Sequence, residues 1–182
     1  MTLTTRSSAL ILLLLVGSGA AAAPATNPVQ ATRRPAQALL ERLIGTWDVD
    51  YAVYDEHGNV KHYLGAATYR WILDGAAIEE TWSDYHGRKT EPYGTIIEFY
   101  DGKHDRWTAI WIYPKQGMYY ALSGGETDGR IVLTGRDQEG ALQRWSDGDF
   151  RNDTFIGRFE ESKDAGKTWR LAGVNHMRRV GP

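Results

Sequence analysis

The sequence predicts an all-β fold: an antiparallel up-and-down barrel of about ten strands, preceded by one short helix. Three observations lead there. Aromatic residues make up 12% of the 182, with seven Trp and ten Tyr, and such side chains favour strands and supply large buried areas. Glycine-containing turns punctuate the second two-thirds of the chain, among them Glu56-His57-Gly58, Asp74-Gly75, Asp128-Gly129 and Asp164-Ala165-Gly166, with runs of Val, Ile, Thr, Tyr and Trp between them. A meander of that many strands would leave two open edges, and closure into a barrel removes them.

Composition narrows the chemistry. The absence of cysteine excludes a disulfide scaffold, a thiolate nucleophile and Cys-ligated zinc or iron–sulfur clusters. A net charge of −2 provides no basic field for nucleic acid or an anionic membrane.

The elements follow in order. Arg6, the apolar run Ala9–Val16 and the small residues Gly17–Ala23 read as a signal peptide over residues 1–22, cleaved before Ala23. The run is shorter than the ~20 apolar residues a membrane span needs. Localisation is therefore expected to be periplasmic or secreted, with no membrane insertion after cleavage. Residues 23–35 are rich in Ala, Pro, Thr and Asn and form a flexible lead-in. A single domain is expected over 36–182. Leu39, Leu40, Leu43 and Ile44 fall at helical spacing, with Gly45 as the stop. Strands are expected at 46–54, 60–73, 76–85, 94–101, 106–113, 118–127, 130–136, 141–147, 154–162 and 168–180.

Turn lengths then assign faces. A two-residue Asp74-Gly75 loop sets Trp71 opposite Ile78, Tyr69 opposite Glu80 and Ala67 opposite Trp82, with Arg70 facing Glu79 on the other side. An opposed Arg–Glu pair belongs in solvent, so the aromatic face and Glu80 point inward. The Glu56–Gly58 turn opposes Tyr51 to Tyr63 and keeps Trp47, Val49 and Tyr51 inside. The last hairpin opposes Ser162 to Thr168, placing Glu160 with Arg170 outside and Phe159 with Leu171 inside. That parity puts Arg179 inside and His176 outside.

Gly45-Thr46-Trp47 at the first strand and Arg178-Arg179 at the last resemble the lipocalin, or calycin, signature. In it a Gly-x-Trp tryptophan on the barrel floor packs under an arginine from the final strand. The resemblance implies that Trp47 and Arg179 form a structural floor. LeuIleGlyThrTrpAspVal at 43–49, IleLeuAspGly at 72–75 and AspAlaGlyLysThrTrp at 164–169 also resemble a bacterial family of secreted lipocalin-like proteins of no settled activity. Residues Ser162–Trp169 look like the Asp-box turn of sialidase propellers. A propeller would repeat that turn, and here it occurs once, so it reads as a turn whose Asp164 accepts backbone hydrogen bonds. Calycins include ten-stranded haem barrels with an axial histidine near the end. The outward register of His176 argues against that, and no cofactor is expected.

The inferred lining is Tyr51, Tyr63, Tyr69, Trp71, Trp82, Trp107, Trp111, Tyr113 and Tyr120. About eight strands are just filled by their own side chains and wider barrels hold a ligand, so about ten strands predict a cavity. Glu80 faces it. Glu98 does too if Asp101 opposes Arg106 across a four-residue loop; the rival register buries Ile97 and Phe99 instead. Two such carboxyls suit acid–base chemistry, because one should hold a proton that the other lacks. No histidine pair has metal-ligand spacing. The stretch His86–Pro92, with Arg88 and Lys89, is expected to be the longest loop at the open end and a natural lid. Three functions remain: a barrel binding a small hydrophobic or aromatic molecule; an isomerase, cyclase or lyase using Glu80 and Glu98; and an interaction module with a filled barrel.

Overall fold

The computed structural model describes residues 35–86 and 89–180. The expected signal peptide and nearly all of the lead-in lie outside them. Ten strands in antiparallel sequence form a closed barrel, in which the first strand pairs with the last. In chain order they are β1 (Gly45–Tyr54), β2 (Val60–Ile72), β3 (Ala77–His86), β4 (Lys89–Asp101), β5 (Arg106–Tyr113), β6 (Met118–Thr127), β7 (Arg130–Arg136), β8 (Leu142–Arg151), β9 (Thr154–Ser162) and β10 (Arg170–Arg179). A short helix α1 (Pro35–Glu41) precedes them. It ends earlier than the leucine spacing predicts, and single-turn backbone bonds from Arg42 to Leu39 and from Leu43 to Leu40 continue its last turn.

The floor of the barrel is the end where β1 starts and β10 finishes. Leu40, Leu43, Trp47, Phe155 and Met177 are each 2% exposed or less there. Trp47 donates from Nε1 to the Leu43 carbonyl at 2.7 Å and meets Phe155 edge-on at 4.8 Å between centroids. The Arg179 guanidinium lies 4.1 Å over the Trp47 ring and donates to the Ile44 and Arg42 carbonyls, each at 2.7 Å. These carbonyls end the helical turn without partners of their own along the chain, and the guanidinium supplies them.

Most registers follow the turns. Tyr51 faces Tyr63, Trp71 faces Ile78, Tyr69 faces Glu80, and Asp101 faces Arg106. The β2–β3 connection is a four-residue loop, 73–76, rather than a two-residue one, with Leu73 and Asp74 both at positive φ. Asp164 accepts from the backbone amide and hydroxyl of Thr168, as the turn chemistry requires.

Four expectations need correction. Residues 89–92 are strand, not loop: they pair with 83–86, and the stretch His86–Pro92 leaves only residues 87 and 88 between strands. This is possible because Trp82 pairs with Gly94 but Ser83 pairs with Pro92, so Tyr93 is an extra residue bulging from β4. The last hairpin is also shifted. Arg170 pairs with Glu161 and Leu171 with Glu160, one residue from the expected register, and a second bulge at Ala172 sets Gly173 opposite Phe159, two residues from it, which returns the later residues to their expected faces. Leu171 is consequently exposed at 37% while Ala172 is buried, yet His176 stays outside and Arg179 inside. Finally, β8 runs on to Arg151, four residues beyond the expected end, and β10 starts at Arg170 instead of residue 168.

Candidate functional site

Above the floor the interior is hollow. A cavity of about 550 Å³ runs from the centre of the barrel to the end opposite α1. Tyr63 and Val53, each 44% exposed, stand at its mouth. The strand alternation that buries one face of each strand turns a ring of aromatic side chains into this space. Tyr51, Trp82, Tyr93, Trp111, Tyr113, Tyr120, Trp145 and Phe159 all line it. They brace one another edge-on: Trp111 and Trp145 lie 6.0 Å apart at 69°, Tyr120 and Trp145 5.8 Å apart at 80°. Each such pair adds about 0.5–1.5 kcal/mol beyond the area it buries, so the walls are stiff. Tyr51 and Tyr63 are stacked at 5.1 Å near the mouth, and the Tyr51 hydroxyl donates to Asp84 at 2.5 Å.

The β4 bulge sets one wall. Because Tyr93 is the extra residue, it and Gly94 both present to the interior, and Tyr93 meets Tyr113 at 5.1 Å and Trp111 at 6.2 Å. Gly94 has no side chain to obstruct Trp111: a Cβ there would fall 2.4 Å from the indole ring.

The base of the cavity is polar. Glu80 opposes Ile96 and Glu98 opposes Ile78, which makes the two glutamates diagonal neighbours on the inner faces of β3 and β4. They are 3% and 4% exposed. Asp147 enters from β8 on the far wall, opposite Gly157 of β9. A Cβ on Gly157 would fall 2.8 Å from Asp147 Oδ1, so the missing side chain leaves room for this carboxyl, with Asn175 on the other side. Glu80 accepts from Trp82 Nε1 at 3.1 Å and from the Tyr69 hydroxyl. Glu98 Oε2 is buried and has no hydrogen-bond partner.

Burial and mutual repulsion keep protons on this cluster. Burial first, and then the charges of Glu98 and Asp147, push Glu80 well above the usual carboxylate range. Burial and Asp147 raise Glu98 to about 8, and burial raises Asp147 to about 7 against a lowering pull from Arg130. Burial, and then the neighbouring carboxylates, push the Tyr69 hydroxyl up as well.

Of the residues expected to line the interior, Tyr51, Tyr63, Tyr69, Trp82, Trp111, Tyr113, Tyr120, Glu80 and Glu98 meet at this cavity. Trp71 and Trp107 do not: Trp107 is buried in the hydrophobic core and Trp71 packs against it, near the ends of β2 and β5 that lie towards the floor. Asp147, Tyr93, Trp145 and Asn175 are additions. A signal existed for three of them. Trp145 and Asp147 share the period-two face of their strand, and an outward His176 implies an inward Asn175. Among the described residues no group of His, Asp and Glu converges closely enough to hold a metal ion. His176 pairs with Ile156 on the outer face, away from the cavity.

No family model and no curated protein matches the chain. Among solved structures, it is similar to the crystal structure of Rv2717c from M. tuberculosis, with a TM-score of 0.57 and 12% identity, over 82% of this chain and 100% of that one. The S-type phycobiliprotein lyase CPES from Guillardia theta gives a TM-score of 0.48 and 11% identity, over 82% of this chain and 95% of that one. The first likeness establishes the fold, a calycin-like barrel, and the chemistry rests on the chain's own residues.

Proposed function

We propose that this protein binds one small, flat, largely apolar molecule inside its barrel. The cavity carries the reading: about 550 Å³, walled by aromatic rings and open at one end, is within the range that drug-sized ligands occupy. A filled interaction module would have no such space. Rings set edge-on to one another offer flat faces on which a planar ligand stacks at low conformational cost. Calorimetry with 1-naphthalenemethanol, a neutral bicyclic probe, tests this. Saturable one-to-one binding is expected, weakened about tenfold or more by Ala172→Phe, which puts a ring into the cavity from β10. Heats that never saturate, or that Ala172→Phe leaves unchanged in a folded variant, contradict it.

A second reading is an isomerase, cyclase or lyase that moves a proton with Glu80 and Glu98. The favouring observation is that Glu80 and Glu98 are buried diagonal neighbours at the base of the cavity, where burial raises both above the usual carboxylate range. Deuterium uptake at the activated C–H of 2-tetralone in D2O reads it out. Exchange accelerated by the protein and lost in Glu98→Gln supports catalysis; exchange at the buffer rate argues for binding alone.

We also propose that the mature chain acts in the periplasm or beyond. The apolar run and small residues of the N-terminal sequence support this. N-terminal sequencing of the protein from its host should begin at Ala23, and a chain that keeps Met1 would refute export by cleavage.

A further inference from the structure

An apolar ligand leaves the base of the cavity unexplained. Covering Glu80, Glu98 and Asp147 with hydrocarbon would strip their remaining hydration and supply nothing in return. Glu80 has Trp82 and Tyr69, but Glu98, which lines the hollow, has a buried Oε2 with no partner. Among the described residues no arginine or lysine forms an ion pair with any of the three. The nearest cations are committed elsewhere. Arg130 bonds Asp149 at 3.1 Å and the Ser146 carbonyl at 3.3 Å on the outer side of the wall, Arg158 bonds the same Asp149 at 3.0 Å, and Arg170 at the mouth bonds Glu161 at 2.6 Å. The three carboxyls enter from opposite walls, β3 and β4 against β8, and do not converge tightly enough for a metal ion. They bracket the position where the inner end of a ligand would lie, and the rings of Trp82 and Trp111 stand just above.

We infer that the base of the cavity is a cation subsite: the ligand is an aromatic or arylalkyl amine whose protonated nitrogen sits between Glu98 and Asp147, with its rings stacked among the tyrosines and tryptophans above. This rests on the binding function proposed above and names its chemical class. A cation in that place gives Glu98 its missing partner, offsets the repulsion among the three carboxyls and gains from the faces of the surrounding indoles. It also displaces protons, because carboxyls protonated in the empty barrel ionise against the ammonium. The groups facing the nitrogen are Glu80 from β3, Glu98 from β4, Asp147 from β8, the Tyr69 hydroxyl from β2 and the neutral Asn175 from β10, with Arg130 of β7 acting on Asp147 through the wall. Affinity for the amine therefore rises as pH rises through the range in which the cluster ionises, while affinity for a neutral analogue does not.

The test compares three matched probes by calorimetry: 1-naphthylmethylamine, 1-naphthalenemethanol and 1-naphthoate, at about pH 6 and about pH 8. The amine is expected to bind about tenfold or more tighter than the alcohol at the higher pH, with naphthoate weakest. Its advantage should shrink at the lower pH, and heats in buffers of different ionisation enthalpy should show protons released by the amine alone. Glu98→Gln should bring the ratio of amine to alcohol affinity down to about one, and Asp147→Asn provides the same ratio if Glu98→Gln folds poorly. Alcohol binding equal to or tighter than amine binding at the higher pH would overturn the cation subsite and leave the pocket intact. Saturable binding by none of the three would overturn both.

Discussion

Arg179 joins three parts of the floor through one side chain. Its guanidinium covers the Trp47 ring and bonds the two carbonyls that end the helical turn, so the last strand, the first strand and the helix are held together. Arg179→Met keeps the stem and removes the charge and the donors. The expected cost is about 2–4 kcal/mol, seen as a lower urea midpoint with an unchanged slope. An unchanged midpoint would mean that the carbonyls find water instead. At the base of the cavity, Gly157→Ala places a methyl group against Asp147 Oδ1, and it should weaken probe binding while the floor stays intact. A variant that binds as the wild type does would show that Asp147 has room to move.

Bulges decide what the strands present to the interior. Gly94→Ala drives a Cβ into the Trp111 ring and is expected to destabilise by about 1–3 kcal/mol, with a shift in tryptophan emission; full stability would mean that the ring lies elsewhere. Elements were legible in the sequence where local turn chemistry carried them. Glu56-His57-Gly58 sets a three-residue hairpin whichever barrel it belongs to, and Asp55 caps it by accepting from the His57 and Asn59 amides. Glu80 and Glu98 came within reach by counting outward from such turns. The bulges at Tyr93 and Ala172 were not legible. An extra residue inside a run of strand formers has no composition of its own, and it is fixed by how two distant walls meet. That is why 89–92 read as a loop and Leu171 as an inward residue. Trp71 and Trp107 had the right face but the wrong height, since depth along the barrel depends on where α1 and the floor core stop.

The molecule as a whole divides into a dense floor, a polar middle and an aromatic mouth, and its response to pH follows from the middle. Burial raises Glu98 to about 8 and Asp147 to about 7 in the folded chain, from 4.5 and 3.8 as ordinary side chains. The folded chain thus keeps protons that the unfolded chain has released, so stability falls as pH rises through that interval. Surface carboxyls act in the opposite sense. Hydrogen bonds from Thr168 hold Asp164 down at about 2, and its contribution is lost only as strong acid protonates it. Stability should therefore peak on the acid side of neutral, with a lower urea midpoint at about pH 8.5 than at about pH 5. A midpoint that rises over the same interval would mean that the cluster is solvated. The most direct measurement is a carbon-13 NMR titration of the side-chain carboxyls in the ligand-free protein. The resonances of Glu80, Glu98 and Asp147 are expected to move only above about pH 6, coupled to one another, with that of Asp164 already moved at far lower pH. Three carboxyls that all titrate below about pH 5 would contradict it.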